Sequence, residues 1–208
     1  MTVTALRTTL AAVFTAVGLS LTASLAWASV TLPADRAVET EGLAPGLAVD
    51  YYFEYYRDID ELIDWMNYLT PKAGAPLPAL DYNVGQGNVL SSDQSDGVGA
   101  HIRGYLNFDE PGIYTITVNS NDGVRLWLGG QFIVEDPGVH TARFSDPIEV
   151  TVEKPGWYPL EMLYYERKNT STLVLHWAKP SDSDNFSIVP ASYLAHIPGK
   201  PPVPSMVK

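Results

Sequence analysis

A chain of 208 residues is long enough for one sizeable domain with a buried core, plus flanking segments. Its 24 acidic and 13 basic side chains leave a net charge of −11, a surface that phosphate backbones repel, which argues against a nucleic-acid partner. With no cysteine, a disulfide framework, thiolate zinc sites, a cysteine nucleophile and a lipidated N-terminal cysteine are all excluded.

The N-terminal stretch carries one charge, Arg7, followed by a mostly apolar run from Leu10 to Leu25 and a small-x-small exit at Ala26-Trp27-Ala28. The run is nearly long enough to span a bilayer, but its Thr, Ser and Gly content and small-residue exit favour a signal peptide over residues 1–28, cleaved before Ser29. The expected location is therefore secreted, periplasmic or cell-surface. Residues 29–45 lack sustained periodicity and read as a leader or linker. A domain is expected over 46–197, followed by a Pro-rich tail at 198–208, whose spaced prolines forbid a helix or an inner strand.

Within the domain the first periodic element is helical. Ile59, Leu62, Ile63 and Met66 recur at i, i+3, i+4 and i+7, with Asp58 as N-cap and Glu61 in a capping-box position. Beyond it, period-two alternation takes over. Ile102, Leu106 and Phe108 oppose His101, Arg103 and Tyr105; Tyr114, Ile116 and Val118 oppose Thr115 and Thr117; Val124, Leu126 and Leu128 oppose Arg125 and Trp127. Ile148, Val150 and Val152 follow, then Leu160, Met162 and Tyr164, then Leu173, Leu175 and Trp177. Each set describes a strand with one face in a core. Pro-Gly turns at 111–112 and 155–156 separate strands, and Gly129-Gly130 is a two-residue hairpin signal, since both residues tolerate positive φ. The pattern predicts an all-β fold, a jelly-roll-like antiparallel β-sandwich with one short amphipathic helix.

No Gly-x-Ser-x-Gly elbow, His-Glu-x-x-His helix, P-loop or Rossmann fingerprint occurs, and the four histidines have no metal-ligand spacing. Nothing marks the pair of carboxyl groups a glycosidase needs. The acidic stretches Asp93–Gly97 and Asp182–Asn185 lack EF-hand spacing and read as solvated turns.

Several segments, in order, resemble the domain named after the anthrax protective antigen. They are Gly46–Tyr52 as an opening strand, GYLNFDEPGIYTITVNSNDGVRLWLGG at 104–130, Gly156–Leu160 with Leu173–Trp177 as a closing hairpin, and Ile188–Leu194 as the domain end. The resemblance covers roughly 46–197. It implies a β-sandwich of the kind found in toxins, glycosidases, yeast adhesins and signalling proteins, used for recognition and often of carbohydrate. In the calcium-using adhesins of that family, two adjacent aspartates hold the ion, sometimes across a cis peptide, and the ion bridges to sugar hydroxyls. Here the matching pair is Asn121-Asp122, one carboxylate short, which should shift calcium affinity toward or beyond ~10⁻⁴–10⁻³ M. Glu166 stands where those adhesins offer an asparagine; it either restores the charge as a metal ligand or is a surface carboxylate paired with Arg125 or Arg167. Asn-Asp-Gly is also a tight-turn sequence in its own right. Trp127 and Tyr165, opposite the core residues of their strands, are the candidate aromatic plane for a sugar, with two-sided burial as the competing reading.

The expectation is a non-catalytic exported domain that binds a glycan or cell-surface polysaccharide at Asn121, Asp122, Trp127 and Tyr165, with calcium held by Asn121, Asp122 and Glu166. The alternative is a structural subunit that docks on an envelope or extracellular protein through its leader or tail.

Overall fold

A computed structural model describes residues 28–38, 41–200 and 205–207. The segment read as a signal peptide therefore lies outside the described residues, Ala28 apart. Among the described residues no helix is long and apolar enough to cross a membrane.

In chain order the strands begin with β1 (Ala28–Leu32), β2 (Ala44–Pro45), β3 (Ala48–Phe53), β4 (Lys72–Ala73), β5 (Asp81–Gly85), β6 (Val98–Phe108), β7 (Gly112–Asn121) and β8 (Val124–Leu128). They continue with β9 (Gln131–Asp136), β10 (Arg143–Phe144), β11 (Ile148–Val152), β12 (Gly156–Glu166), β13 (Ser171–Lys179), β14 (Asp182–Ile188) and β15 (Leu194–His196). One α-helix, α1 (Ile59–Met66), separates β3 from β4. The first sheet runs β1-β11-β7-β13-β14, with β10 also pairing β7 and β5 pairing β13. The second runs β2-β15-β6-β12-β8-β9, with β3 on β6 and β4 on β3. The β1–β11 pair is parallel, and the other strand pairs are antiparallel.

The two sheets face each other through the residues that alternation selects. Tyr114, Ile116 and Val118 of β7 and Leu175 and Trp177 of β13 meet Ile102, Leu106 and Phe108 of β6 and Leu160, Met162 and Tyr164 of β12. Phe108 lies at the centre, edge-on to Tyr114 at 4.7 Å and to Tyr158 at 5.7 Å, an arrangement that the ring quadrupoles favour. At the Gly129-Gly130 hairpin both residues take positive φ, +55° and +80°, as a two-residue turn matching strand twist requires.

A second apolar cluster lies on the outer face of the second sheet. Helix α1 places Ile59 and Leu62 there against Tyr52, Tyr56, Trp127, Leu163 and Tyr165. Complete burial of each aliphatic side chain is worth about 1.5–3 kcal/mol, which holds a two-turn helix that would melt in isolation. Asp58 caps it through Asp60 N–H, at 2.9 Å. Glu61 reaches back to Arg57 N–H at 2.7 Å, one residue earlier than the capping-box expectation.

Two expected boundaries are corrected. Residues 29–45 are not a free linker: Ala28–Leu32 adds an edge strand to β11, Leu32 is buried in the main core, and Ala44-Pro45 pairs with β15. The segment is short, and the apolar residues it packs on the core, Val30, Leu32 and Ala37, are too few to register as a period. The Pro-rich tail is not simply extended either. Its described end returns to the second sheet, where Ser205 Oγ and Met206 N–H donate to the two oxygens of Glu161. Glu161 also bonds His101 Nε2 at 2.6 Å, so a buried polar pair on adjacent strands becomes the anchor for the tail.

Candidate functional site

Four connections pass from one sheet to the other at the same end of the sandwich: β5 to β6, β7 to β8, β9 to β10 and β12 to β13. Three of them meet at Asp122, and the fourth, β5 to β6, is bonded to the β12–β13 connection. Its Oδ1 accepts from His140 N–H at 3.0 Å and its Oδ2 from Arg167 N–H at 2.8 Å, so one carboxylate ties the β7–β8 turn to two other connections. Asp122 N–H in turn donates to Tyr165 O at 3.1 Å, and the Asn121–Asp122 peptide is cis. Gly123 is dictated by crowding: a Cβ there would sit 2.5 Å from both Pro137 O and the Tyr165 ring.

Asn121 Nδ2 donates to Thr170 Oγ1 at 2.9 Å, and Tyr164 Oη donates to Asn121 O at 2.6 Å. The fourth connection joins through Asp96, whose Oδ1 accepts from Asn169 N–H at 2.7 Å, and through Gly97 N–H, which donates to Arg167 O at 3.1 Å. Asn169 adopts a left-handed φ of 80°, which its short polar side chain tolerates. Between these segments lies a cleft of about 420 Å³ lined by Asn121, Asp122, His140, Arg167, Asn169 and Thr170, among others.

Glu166 lies behind that cleft. Strand alternation puts it on the inner face with Met162 and Tyr164; it is fully buried, and neither carboxylate oxygen has a hydrogen-bond partner among the described residues. Burial, and then the Asp96 and Asp122 carboxylates, push its pKa up to about 8, while the Gly97 N–H, committed to Arg167 O, gives little relief. Burial also raises Asp122, against the lowering effect of its two backbone donors and the nearby His140 and Arg167. Three carboxylates thus share one corner, and the one most deeply buried is unpartnered.

The reading of Glu166 as a surface carboxylate is corrected by this burial, and Arg125 instead bonds Glu135 at 2.7 Å and Asp60 at 3.0 Å. The aromatic plane proposed for a sugar is corrected as well. Trp127 and Tyr165 are 8% and 0% exposed, sealed under α1, with Tyr56 edge-on to Tyr165 at 6.0 Å. Neither lines the cleft. The helix that the sequence announces is what covers them. The sequence gives no sign that His140, Asn169 and Thr170 join this corner, and it names Arg167 only as a partner for Glu166 and Asp96 only within a solvated turn. Their only signal in the sequence was polar loop composition. Among the described residues no three His, Cys, Asp or Glu side chains are grouped to hold a metal. The available oxygen set is two carboxylates and one amide, Asp122, Glu166 and Asn121. That set suits a hard cation, and the orphaned Glu166 carboxylate is what such a charge would neutralise.

Residues 83–188, half of the chain, match the profile of the PA14 domain. The chain belongs to the PA14 domain family. Solved structures agree at the level of fold. The PA14 domain of MpAFP antifreeze protein superposes with a TM-score of 0.63 at 13% identity, covering 76% of this chain and 94% of that one. A PA14 sugar-binding domain from an RTX adhesin gives 0.59 at 18% identity, covering 74% and 99%. The epithelial adhesin 9 A domain from Candida glabrata, in complex with Galβ1-4GlcNAc, gives 0.61 at 11% identity, covering 83% and 97%. No curated protein matches the sequence. In this PA14 domain the matched residues include the central strand β7, the Asn121–Asp122 turn and the β8–β9 hairpin that follows.

Proposed function

We propose that this PA14 domain is an exported, non-catalytic glycan-binding module that takes a sugar in the Asn121–Asp122 cleft with the help of calcium. One observation carries the reading: an acidic turn, braced by hydrogen bonds from neighbouring connections, opens into a polar cleft and is backed by the partnerless carboxylate of Glu166. Two of the structurally similar proteins are a PA14 sugar-binding domain and an adhesin domain in complex with Galβ1-4GlcNAc, which supports the ligand class.

Asp122 and Asn121 would present oxygens to the ion from the cleft wall, and Glu166 would add charge from behind, offsetting the carboxylate that Asn121 lacks. Calcium, when bound, offers coordination positions that vicinal sugar hydroxyls fill in place of water. The chain's own part is to hold those oxygens in place and to surround them with donors and acceptors from Arg167, Asn169 and Thr170. Export rests on the signal-like segment 1–28.

The test is a glycan array probed with wild type in calcium, with wild type in chelator, and with Asp122→Ala in calcium. Binding to defined glycans that disappears in both of the latter conditions supports the reading. A blank array for folded wild type in calcium, or glycan binding indifferent to chelator and to Asp122→Ala, overturns it.

A further inference from the structure

Charge in the Asn121–Asp122 cleft runs against the charge of the chain. Acidic side chains outnumber basic ones 24 to 13, so carboxylates are plentiful partners for a cation. Lys72, Arg103, Arg125, Arg143 and Lys179 are each paired with one. Arg167 and Lys168 form no ion pair among the described residues, although both line the cleft, where Lys168 is exposed and Arg167 half-buried. The other described cations without such a partner, Arg36, Arg57, Lys154 and Lys200, line no part of it.

The carboxylate of the cleft does not offset them. Both Asp122 oxygens are taken by backbone donors, His140 N–H at 3.0 Å and Arg167 N–H at 2.8 Å, and Asp96 and Glu166 stand outside the lining. His140 is committed as well, with Nδ1 2.9 Å from Thr141 O and Nε2 3.2 Å from Asp136 Oδ2. Two positive side chains therefore face one negative one across the cleft, and a calcium ion at Asp122 would widen the excess. Tyr55 steadies the more mobile of the two cations. Lys168 Nζ stands over its ring, 5.5 Å from the centroid, an attraction that the ring quadrupole supplies. That ring is 50% exposed and lies 3.5 Å from where a Cβ on Gly97 would sit, the residue whose N–H bonds Arg167 O, so it borders the same turn.

We infer that the cleft selects an acidic glycan, one whose sugar carries a carboxylate or a sulfate ester, and that Arg167 and Lys168 read that charge. A guanidinium presents a planar fork of donors that fits either anion, and an ammonium adds a point charge beside it. Asn169 and Thr170, in the same turn, remain for the neutral hydroxyls. An unpaired cation next to a polar cleft is a group whose best partner comes from outside the chain.

The inference rests on the cleft reading and names the ligand within it, and one experiment separates the two. Wild type, the double variant Arg167→Gln/Lys168→Gln and Asp122→Ala are compared, in calcium, on an array of oligosaccharides each present in three matched forms: neutral, ending in a hexuronic acid, and ending in a sulfate ester. The expected result is that wild type binds an acidic form about tenfold more tightly than its neutral counterpart, and the tighter of the two acidic forms identifies the anion. The double variant should bind acidic and neutral forms alike, at the wild-type neutral level, and Asp122→Ala should bind none. Wild type that binds neutral forms as tightly as acidic ones, or a preference for acid that survives in the double variant, overturns the inference and leaves the cleft reading standing. No binding of any form by folded wild type removes both. Thermal melts check the double variant, whose fold should be intact because neither replaced side chain holds an ion pair.

Discussion

Replacing Glu161 with alanine should loosen the C-terminal tail and destabilise the domain together. The carboxylate lies on the outer face of β12, 6% exposed, and gathers His101 Nε2, Ser205 Oγ and Met206 N–H. Hydrogen bonds to a charged acceptor are worth about 1.5–3 kcal/mol each, and removing one side of a buried pair costs about 3–5 kcal/mol. The expected loss for Glu161→Ala is about 3 kcal/mol at pH 7, allowing for partial rehydration of His101 once the tail lifts. Ser205→Ala should cost about 1 kcal/mol.

The pH dependence has a definite sign. Burial pushes the Glu161 carboxyl up, but hydrogen bonds from His101, Ser205 and Met206, with the charge interaction of His101, outweigh it and hold the group below its ordinary value when folded. The unfolded chain therefore takes up this proton more readily. The stability it contributes is present above the ordinary carboxylate pKa and is lost as pH falls through the depressed folded value. Urea denaturation at pH 7 and at steps below pH 5, with hydrogen exchange at the Met206 amide, measures both effects. The reasoning fails if Glu161→Ala unfolds within about 0.5 kcal/mol of wild type at pH 7, or if Glu161→Gln leaves the acid slope unchanged.

Other outcomes follow from the same packing. Gly123→Ala should destabilise by about 1–3 kcal/mol and abolish glycan binding, since its Cβ would displace Pro137 or Tyr165 and with them the Asp122 turn; chemical denaturation and the array report the two effects. Trp127→Ala should cost about 3–5 kcal/mol, while the fraction that remains folded binds glycan with unchanged affinity, because the indole lies under α1 and not in the cleft. On the calcium reading, Glu166→Gln should weaken calcium binding about tenfold by calorimetry, because an amide cannot supply the carboxylate that the buried acid would offer once calcium displaces its proton. Leu62→Ala should cost about 2–4 kcal/mol and appear as loss of protection at the α1 amides.

What could be read from the sequence was whatever repeats. Alternation in β7, β8, β11 and β13 named the inward residues correctly, because one face of each meets the opposite sheet. The same rule named the inward residues of β12, but the outward Tyr165 and Trp127 are covered too; period two separates the faces of a strand but does not say which face is wet. The α1 pattern was legible from four apolar positions and a cap, yet its destination, over Tyr165, was not. The Asn121–Asp122 turn could be recognised from its resemblance. Its neighbours could not, because His140, Arg167 and Thr170 meet it through single hydrogen bonds between segments distant in the chain, and no local period records such a meeting.

Each connection around Asp122 joins one layer of the sandwich to the other, so the corner works as a seam stitched from four threads. Sliding the layers by a fraction of a strand repeat would pull the His140 and Arg167 amides away from the carboxylate they share. A ligand seated there rivets the seam, and by mass action it stabilises the whole sandwich rather than a single loop. A load applied along the sheets would meet more resistance when the corner is filled.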